Sequence, residues 1–191
     1  MTPTSTTSGP PVVPAPPRLT AEEFVARHGG ERVELVKGVI KEVAMPMPRH
    51  GAICAKMTIL IGAHVETHDL GHVMSNDSFI KTGPESVRGA DVSFWSYERQ
   101  PRGPIPDGLL PQAPDLVVEV KSPSDRWGDL FAKVGEYLQV GVRVVVVVDP
   151  GTSSASVYRQ EELSQTFHNG DELALPDVLP GFAVKVSRLF A

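Results

Sequence analysis

The chain has 191 residues, 41% of them hydrophobic and 21% charged, enough for one well-filled core and one domain. Eighteen Lys and Arg stand against 23 Asp and Glu, and the net charge of −5 removes any global attraction to nucleic acid, so contact with phosphate must come from a local patch or a bound cation. No apolar run reaches the roughly 20 residues that span a bilayer; the longest, "VRVVVVVDP", is strand-sized.

In chain order, "MTPTSTTSGPPVVPAPP" is rich in Pro, Ser and Thr and lacks a basic start followed by an apolar stretch, which predicts a disordered tail over residues 1–17 and no secretory signal. The expected compartment is then the reducing cytoplasm, where a single cysteine, Cys54, needs no disulfide partner. Cys54 falls in an apolar helical pattern and reads as a buried structural thiol. Residues 18–191 are expected to form a single domain.

"LTAEEFVARHG" predicts a short helix with Thr20 as N-cap, Glu22 and Glu23 in the first turn and Gly29–Gly30 as the stop. "RVELVKGVIKEVAM" predicts a hairpin of strands 32–36 and 39–45 meeting at Lys37–Gly38. After the break at "MPMPRH", Ile53, Met57, Leu60, Ile61 and Val65 recur at helical spacing, with Gly71 expected to close the helix. Strands at 73–81 and 87–95 follow, then a long Pro- and Gly-rich loop to Pro114. Next come a strand at 116–122, a helix from about Asp125 to Val140 ended by Gly141, and a strand at 142–149. "TSSASVYRQEE" suggests a further hairpin arm and "LPGFAVKVSRLF" a final strand with an apolar anchor. The strand–helix–strand order over 116–149 predicts two parallel strands, hence an α/β fold with a mixed central sheet flanked by helices.

Within that sheet, "PDLVVEVKSPSD" places Glu119 and Lys121 on one face of a strand whose valines mark it as covered on both sides. Asp115 shares their parity but lies too far along the strand to bind the same ion, and reads as loop-ending or supporting. Asp91 in "GADVSFW" is a second acid in an apolar strand. If the two strands are neighbours, Asp91 and Glu119 converge, and two carboxylates form an oxygen-rich site suited to magnesium or manganese. A lysine beside it can neutralise developing charge in phosphodiester hydrolysis.

"GADVSFW" followed by "APDLVVEVKSPSD" resembles the PD-(D/E)XK nuclease superfamily. More closely, "ERVELVKGVI", "MPRHG", "GADVSFW", "PDLVVEVKSPSDRWGDLFAKVGEYLQVGVRVVVVVDP" and "LPGFAVKVSRLF", in that order, resemble the restriction endonuclease-like Uma family over about residues 18–191. The resemblance implies a restriction-endonuclease-like sheet with an added N-terminal hairpin and C-terminal strands. It implies Asp91 and Glu119 as metal ligands, Lys121 as the catalytic lysine, Glu34 as an additional acid, and Lys133 as a substitute donor. Ala90 stands where the name-giving motif has proline, and Val146 where an aromatic is expected.

Each residue also has a plain reading. Glu119 and Lys121 could be a solvated edge or a structural ion pair, Asp91 a turn residue, and Glu34 and Lys133 ordinary surface charges. His64, His68 and His72 lack the spacing of a zinc motif and read as a solvated helix end. His50 reads equally as helix capping or site support. Arg126 and Trp127 follow "SPSD", where Ser124 or Asp125 would cap the helix, and their place near the strand end permits DNA contact.

The expected function is a metal-dependent endonuclease hydrolysing DNA with metal-activated water; the alternative is a non-catalytic nuclease-fold module for binding or regulation. An acidic chain acting on a polyanion needs Lys41, Arg49, Arg126, Lys133 and the metal to outweigh the net charge, and a homodimer sharing one cleft would help.

Overall fold

The computed structural model describes residues 18–191; the expected tail at 1–17 lies outside them. Helix α1 (Ala21–His28) begins with a full capping box: the Thr20 hydroxyl accepts from the Glu23 N–H while the Glu23 carboxylate accepts from the Thr20 N–H. Strands β1 (Val33–Val36) and β2 (Val39–Glu42) form the hairpin, and Lys37 and Gly38 both adopt positive φ, as a two-residue type I′ turn demands. Helix α2 (Pro48–Thr67) starts with Pro48 in its first turn, where its missing N–H costs nothing.

Gly71 does not close α2. The helix is capped at His68, Asp69 takes the left-handed conformation, and Gly71 opens strand β3 (Gly71–Gly83). Glycine is required there for approach rather than φ: a Cβ would fall 1.9 Å from the Trp95 carbonyl oxygen of the facing strand β4 (Ser86–Ser96). Between Ser75 and Ser78 the β3–β4 register shifts, and Asn76 and Asp77 both take positive φ in a bulge that the alternation of residues did not announce.

Strand β5 (Leu116–Val120) is shorter than expected and stops before Lys121, although the Lys121 N–H still donates to the Val148 carbonyl at 2.9 Å. Helix α3 (Trp127–Gln139) is capped by Arg126 without a side-chain bond, while Asp125 instead accepts from the Ser122 N–H at 2.7 Å. The cap therefore lies one residue beyond Asp125 and two beyond Ser124, the expected positions. β5 and β6 (Val144–Asp149) pair in parallel across α3, as the strand–helix–strand order requires.

The chain continues through β7 (Ser154–Tyr158), the arm expected from "TSSASVYRQEE", and β8 (Gln165–His168), which no sequence pattern marked, and completes an eight-stranded sheet in the order β2-β1-β4-β5-β6-β7-β8, with β3 also on β4. The C-terminal strand is not part of it. β9 (Glu172–Ala174) and β10 (Ala183–Lys185) pair only with each other, and a 3₁₀ turn over Val186–Leu189 follows.

Alternation along β5 and β6 explains the valine runs. Val118, Val120, Val144, Val146 and Val148 pack toward α2 and the C-terminal segment, whereas Val117, Val145 and Val147 pack toward α3 with Leu130, Val134 and Tyr137. Both faces are covered, so no polar alternation survives in the sequence. The long loop at 97–115 is held in place: Arg99 donates to the carbonyls of Ala113, Pro114 and Gly141, and Asp115 accepts from the Ser96 N–H. Asp115 thus ends the loop.

Gly71→Ala is expected to cost about 2–3 kcal/mol in urea unfolding, the price of forcing a methyl into a packed site. Gly62→Ala, in α2 with nothing within 4 Å of a new Cβ, should instead gain about 0.5–1 kcal/mol. Equal effects at the two positions would refute the close-approach account.

Candidate active site

The site forms where the sheet lacks main-chain pairing. Along one edge of β4, β1 pairs only at Val87 and β5 only from Val92 to Phe94. In the gap between them, side chains serve the backbone of Gly89: Glu34 accepts from its N–H at 3.0 Å, and Lys133 donates to its carbonyl at 2.8 Å. The Asp91 carboxylate takes the Val120 N–H at 2.7 Å. β4 and β5 are therefore bridged, past the end of their ladder, by one of the two acids singled out in the sequence.

Glu119 extends from β5 toward α3. Its Oε2 accepts from Lys133 Nζ at 2.9 Å and its Oε1 from the Tyr137 hydroxyl at 2.9 Å. Lys133 and Tyr137 are four apart on α3, so one face of the helix delivers both donors. Lys133 also lies 3.1 Å from Glu34 Oε1. Glu34 is joined through its other oxygen to Arg88 at 2.9 Å, and Arg88 grips Glu136 with two bonds of 2.7 and 2.8 Å. Glu34, Glu119 and Lys133 thus belong to one buried network and are not surface charges.

Lys121 goes elsewhere. Its ammonium donates to the Ser122 carbonyl at 3.2 Å and sits 5.5 Å from the centroid of the Trp127 ring. Strand parity puts Lys121 on the α3 side, as expected, but β5 has ended and the side chain meets the start of the helix rather than Glu119.

The acids open into a cleft of about 520 Å³ whose walls include Asp91, Glu119, Lys133, His50, Cys54, Arg32, Asp77 and Asp125. Of the cations named as possible phosphate contacts, only Lys133 is in this wall; Lys41 and Arg126 are exposed elsewhere, and Arg49 is tied to the Pro150 carbonyl at 2.8 Å. Arg32 is a cleft cation that composition and spacing did not single out.

His50 and Cys54 were also underestimated. His50 Nε2 lies 3.4 Å from Asp91 Oδ2, and its Nδ1 is 3.4 Å from Cys54 Sγ. His50 therefore supports the site, and Cys54 is a wall residue rather than a core thiol. Their spacing of four on an N-terminal helix turn was a usable signal. His64, His68 and His72 instead bond the carbonyls of Pro180, His64 and Pro101.

Electrostatics divide the two acids. Burial pushes the Glu119 carboxyl up to about 7, against the pull of Lys133 and with the charge of Asp91 adding to the rise. Burial also raises Asp91, but the His50 contact and the Val120 N–H outweigh it and hold Asp91 below the usual carboxylate range. Burial, then the Asp91 charge, push the Cys54 thiol far up, so it stays protonated and is no thiolate nucleophile.

Two donor sets can be tested for a metal. His50, Cys54 and Asp91 offer nitrogen, sulfur and oxygen atoms within 4.8 Å of one another, a softer mixture. Asp91 and Glu119 offer carboxylate oxygens. Both named contacts of Asp91 fall on Oδ2, and each Glu119 oxygen keeps a second lone pair beyond its one bond. By the chemistry of its donors, the oxygen pair is the set suited to a hard divalent cation.

An α/β sheet whose edge gap gathers an aspartate, a glutamate and a lysine from adjacent strands and a crossing helix is the architecture of a nuclease-type fold. A solved structure titled as a "putative nuclease belonging to DUF820", from Anabaena variabilis, superposes with a TM-score of 0.81 at 22% identity, covering 90% of this chain and 97% of that one. The model of the Uma2 family, described as "Putative restriction endonuclease", matches residues 21–187, and the chain belongs to that family. No curated protein matches. Among the described residues no helix is long and apolar enough to cross a membrane.

Lys133→Met should destabilise the fold by about 3–5 kcal/mol, because it leaves buried carboxylates without their cation. Lys121→Met, at a half-exposed position, should stay within about 0.5 kcal/mol of wild type. Chemical denaturation of the two variants side by side checks the assignment of the structural lysine.

Proposed function

We propose that residues 18–191 act as one domain, a metal-dependent endonuclease that hydrolyses phosphodiester bonds in DNA, with Asp91 and Glu119 holding magnesium or manganese. The observation that carries this reading is that these two buried carboxylates line one cleft, on strands that stop pairing there. When bound, such a cation polarises a phosphoryl oxygen and makes water a competent nucleophile near neutral pH.

The protein's own groups have separate tasks. Asp91, oriented by the Val120 N–H and His50, presents its remaining oxygen to the cleft. Lys133 supplies a fixed positive charge at Glu119, where negative charge accumulates as a phosphodiester is attacked. Tyr137 keeps Glu119 in one rotamer, and Glu34 keeps Lys133 in place. Lys133 is thus the better candidate for the catalytic lysine, with Lys121 at the rim. The acids Asp77, Asp91, Glu119 and Asp125 outnumber Arg32 and Lys133 among the charged walls of the cleft, so entry of a phosphate favours prior cation binding. A homodimer with a shared cleft would add positive surface, and a protonated, unpaired Cys54 suits a reducing cytoplasm.

One observation favours the second reading, a non-catalytic binding module: both Glu119 oxygens already have partners, as in a purely structural ion pair. Cleavage of a mixed panel of duplex, branched and single-stranded DNA with magnesium or manganese decides between them. Asp91→Asn and Glu119→Gln are expected to lower the cleavage rate at least about 100-fold while remaining folded. Absence of cleavage by wild type under either metal, with no divalent-cation binding by calorimetry, would favour the module.

A further inference from the structure

Helix α3 has a second functional face. Lys133 and Tyr137 point inward to Glu119, but at the start of the helix Trp127 and Phe131, one turn apart, stack with ring centroids 5.3 Å apart and an interplanar angle of 27°. Tyr158 of β7 meets Phe131 edge-on at 6.1 Å. Trp127 is 40% and Phe131 48% exposed. Stacked aromatic rings left in water are expensive unless something covers them.

The surroundings indicate what covers them. The Lys121 ammonium lies 5.5 Å from the Trp127 ring centroid, and Lys121 directly follows Val120, a cleft residue. Ser122, Ser124 and Asp125 line the same cleft, so only the turn between β5 and α3 separates the aromatic pair from Asp91 and Glu119. Arg126 is exposed beside the pair. Asp125 is turned onto the Ser122 N–H, which leaves Asp129 as the exposed acid in the first turn of the helix. The surface therefore combines half-exposed aromatic rings, one of them under the Lys121 ammonium, with a second cation, Arg126, next to the turn that lines the cleft.

An unpaired nucleotide has that composition: a flat base to stack and a phosphate for the cation. A duplex does not, because its bases are already stacked on one another. We propose that Trp127 and Phe131 are a stacking platform for an unpaired base next to the phosphodiester in the cleft, with the Lys121 ammonium, now over the Trp127 ring, free to swing onto the phosphate, so that the substrates are single strands or single-stranded arms of branched DNA. This rests on the nuclease reading for the role of the cleft, but its binding step needs no catalysis.

The chain has two tryptophans, and Trp95 is only 2% exposed, so emission changes on adding ligand report Trp127. The test is fluorescence titration of the full chain, in magnesium, with a nuclease-resistant phosphorothioate single-stranded oligothymidylate and with a duplex of equal length and the same linkage, so that the cation is present and nothing is cut. The expected result is quenching by the single strand and an affinity for it about 5- to 100-fold weaker in Phe131→Leu, with duplex binding unchanged and the thermal melt retained.

Equal single-strand affinity in wild type and Phe131→Leu overturns the platform. So does a change of sedimentation from dimer to monomer in that variant, which would give the surface to a second copy of the chain. A parallel cleavage assay separates the two readings. Quenching without Glu119-dependent cleavage keeps the platform and removes the nuclease; Glu119-dependent cleavage with undiminished binding by Phe131→Leu keeps the nuclease and removes the platform.

Discussion

The ammonium of Lys133 is the contact on which the rest of the site depends. Its three protons meet three acceptors, the Gly89 carbonyl of β4, Glu119 of β5 and Glu34 of β1, at 2.8, 2.9 and 3.1 Å. A buried ammonium is tolerable only when each donor is used and its charge is compensated. Here that requirement ties one helix to three strands. The same contact fills the place of missing ladder bonds along β4, so the sheet can part between β1 and β5 without leaving the Gly89 backbone unsatisfied. The opening and its support are one arrangement.

The local charge pattern shows how a chain of net charge −5 could take the proposed nucleic-acid substrate. The site does not work as a basic groove. On the proposed reading, it concentrates carboxylates that could hold a divalent cation, and places half-exposed Lys121 and exposed Arg126 beside aromatic rings. Affinity built in this way depends on the bound cation and on stacking more than on the field of the whole molecule.

Much of this was legible in the sequence, for a definite reason. Glu119 interrupts a valine strand and Asp91 an apolar one, which made both conspicuous beside their plain readings, and the antiparallel pairing of Val92 with Val118 brings their two strands side by side. The choice of lysine was not legible. Parity places Lys121 on the correct face, but it cannot say that the strand ends at Val120. Lys133 looks like any helix lysine until the rotation of α3 against the sheet is known. Sequence left His50 open between a cap and site support and made Cys54 a buried structural thiol, because hydrophobic periodicity identifies the buried stripe of α2 and not what lies beside it. The role of Gly71 and the bulge at Asn76–Asp77 depend on how closely two strands approach, a relation between distant residues that no local pattern encodes.

The layer over α2 is completed late in the chain. Leu173, Leu175, Leu179, Phe182, Val184, Val186 and Leu189 pack in one cluster with Ile53, Met57, Ile61 and Val65. More than a hundred positions separate the two halves of that contact, so its formation carries a large loop-closure entropy and a high contact order. During synthesis the apolar stripe of α2 is made early and must wait for its cover. The slow step in folding should therefore be the docking of the C-terminal segment, and shortened chains that lack it would expose a sticky helix face and associate with one another.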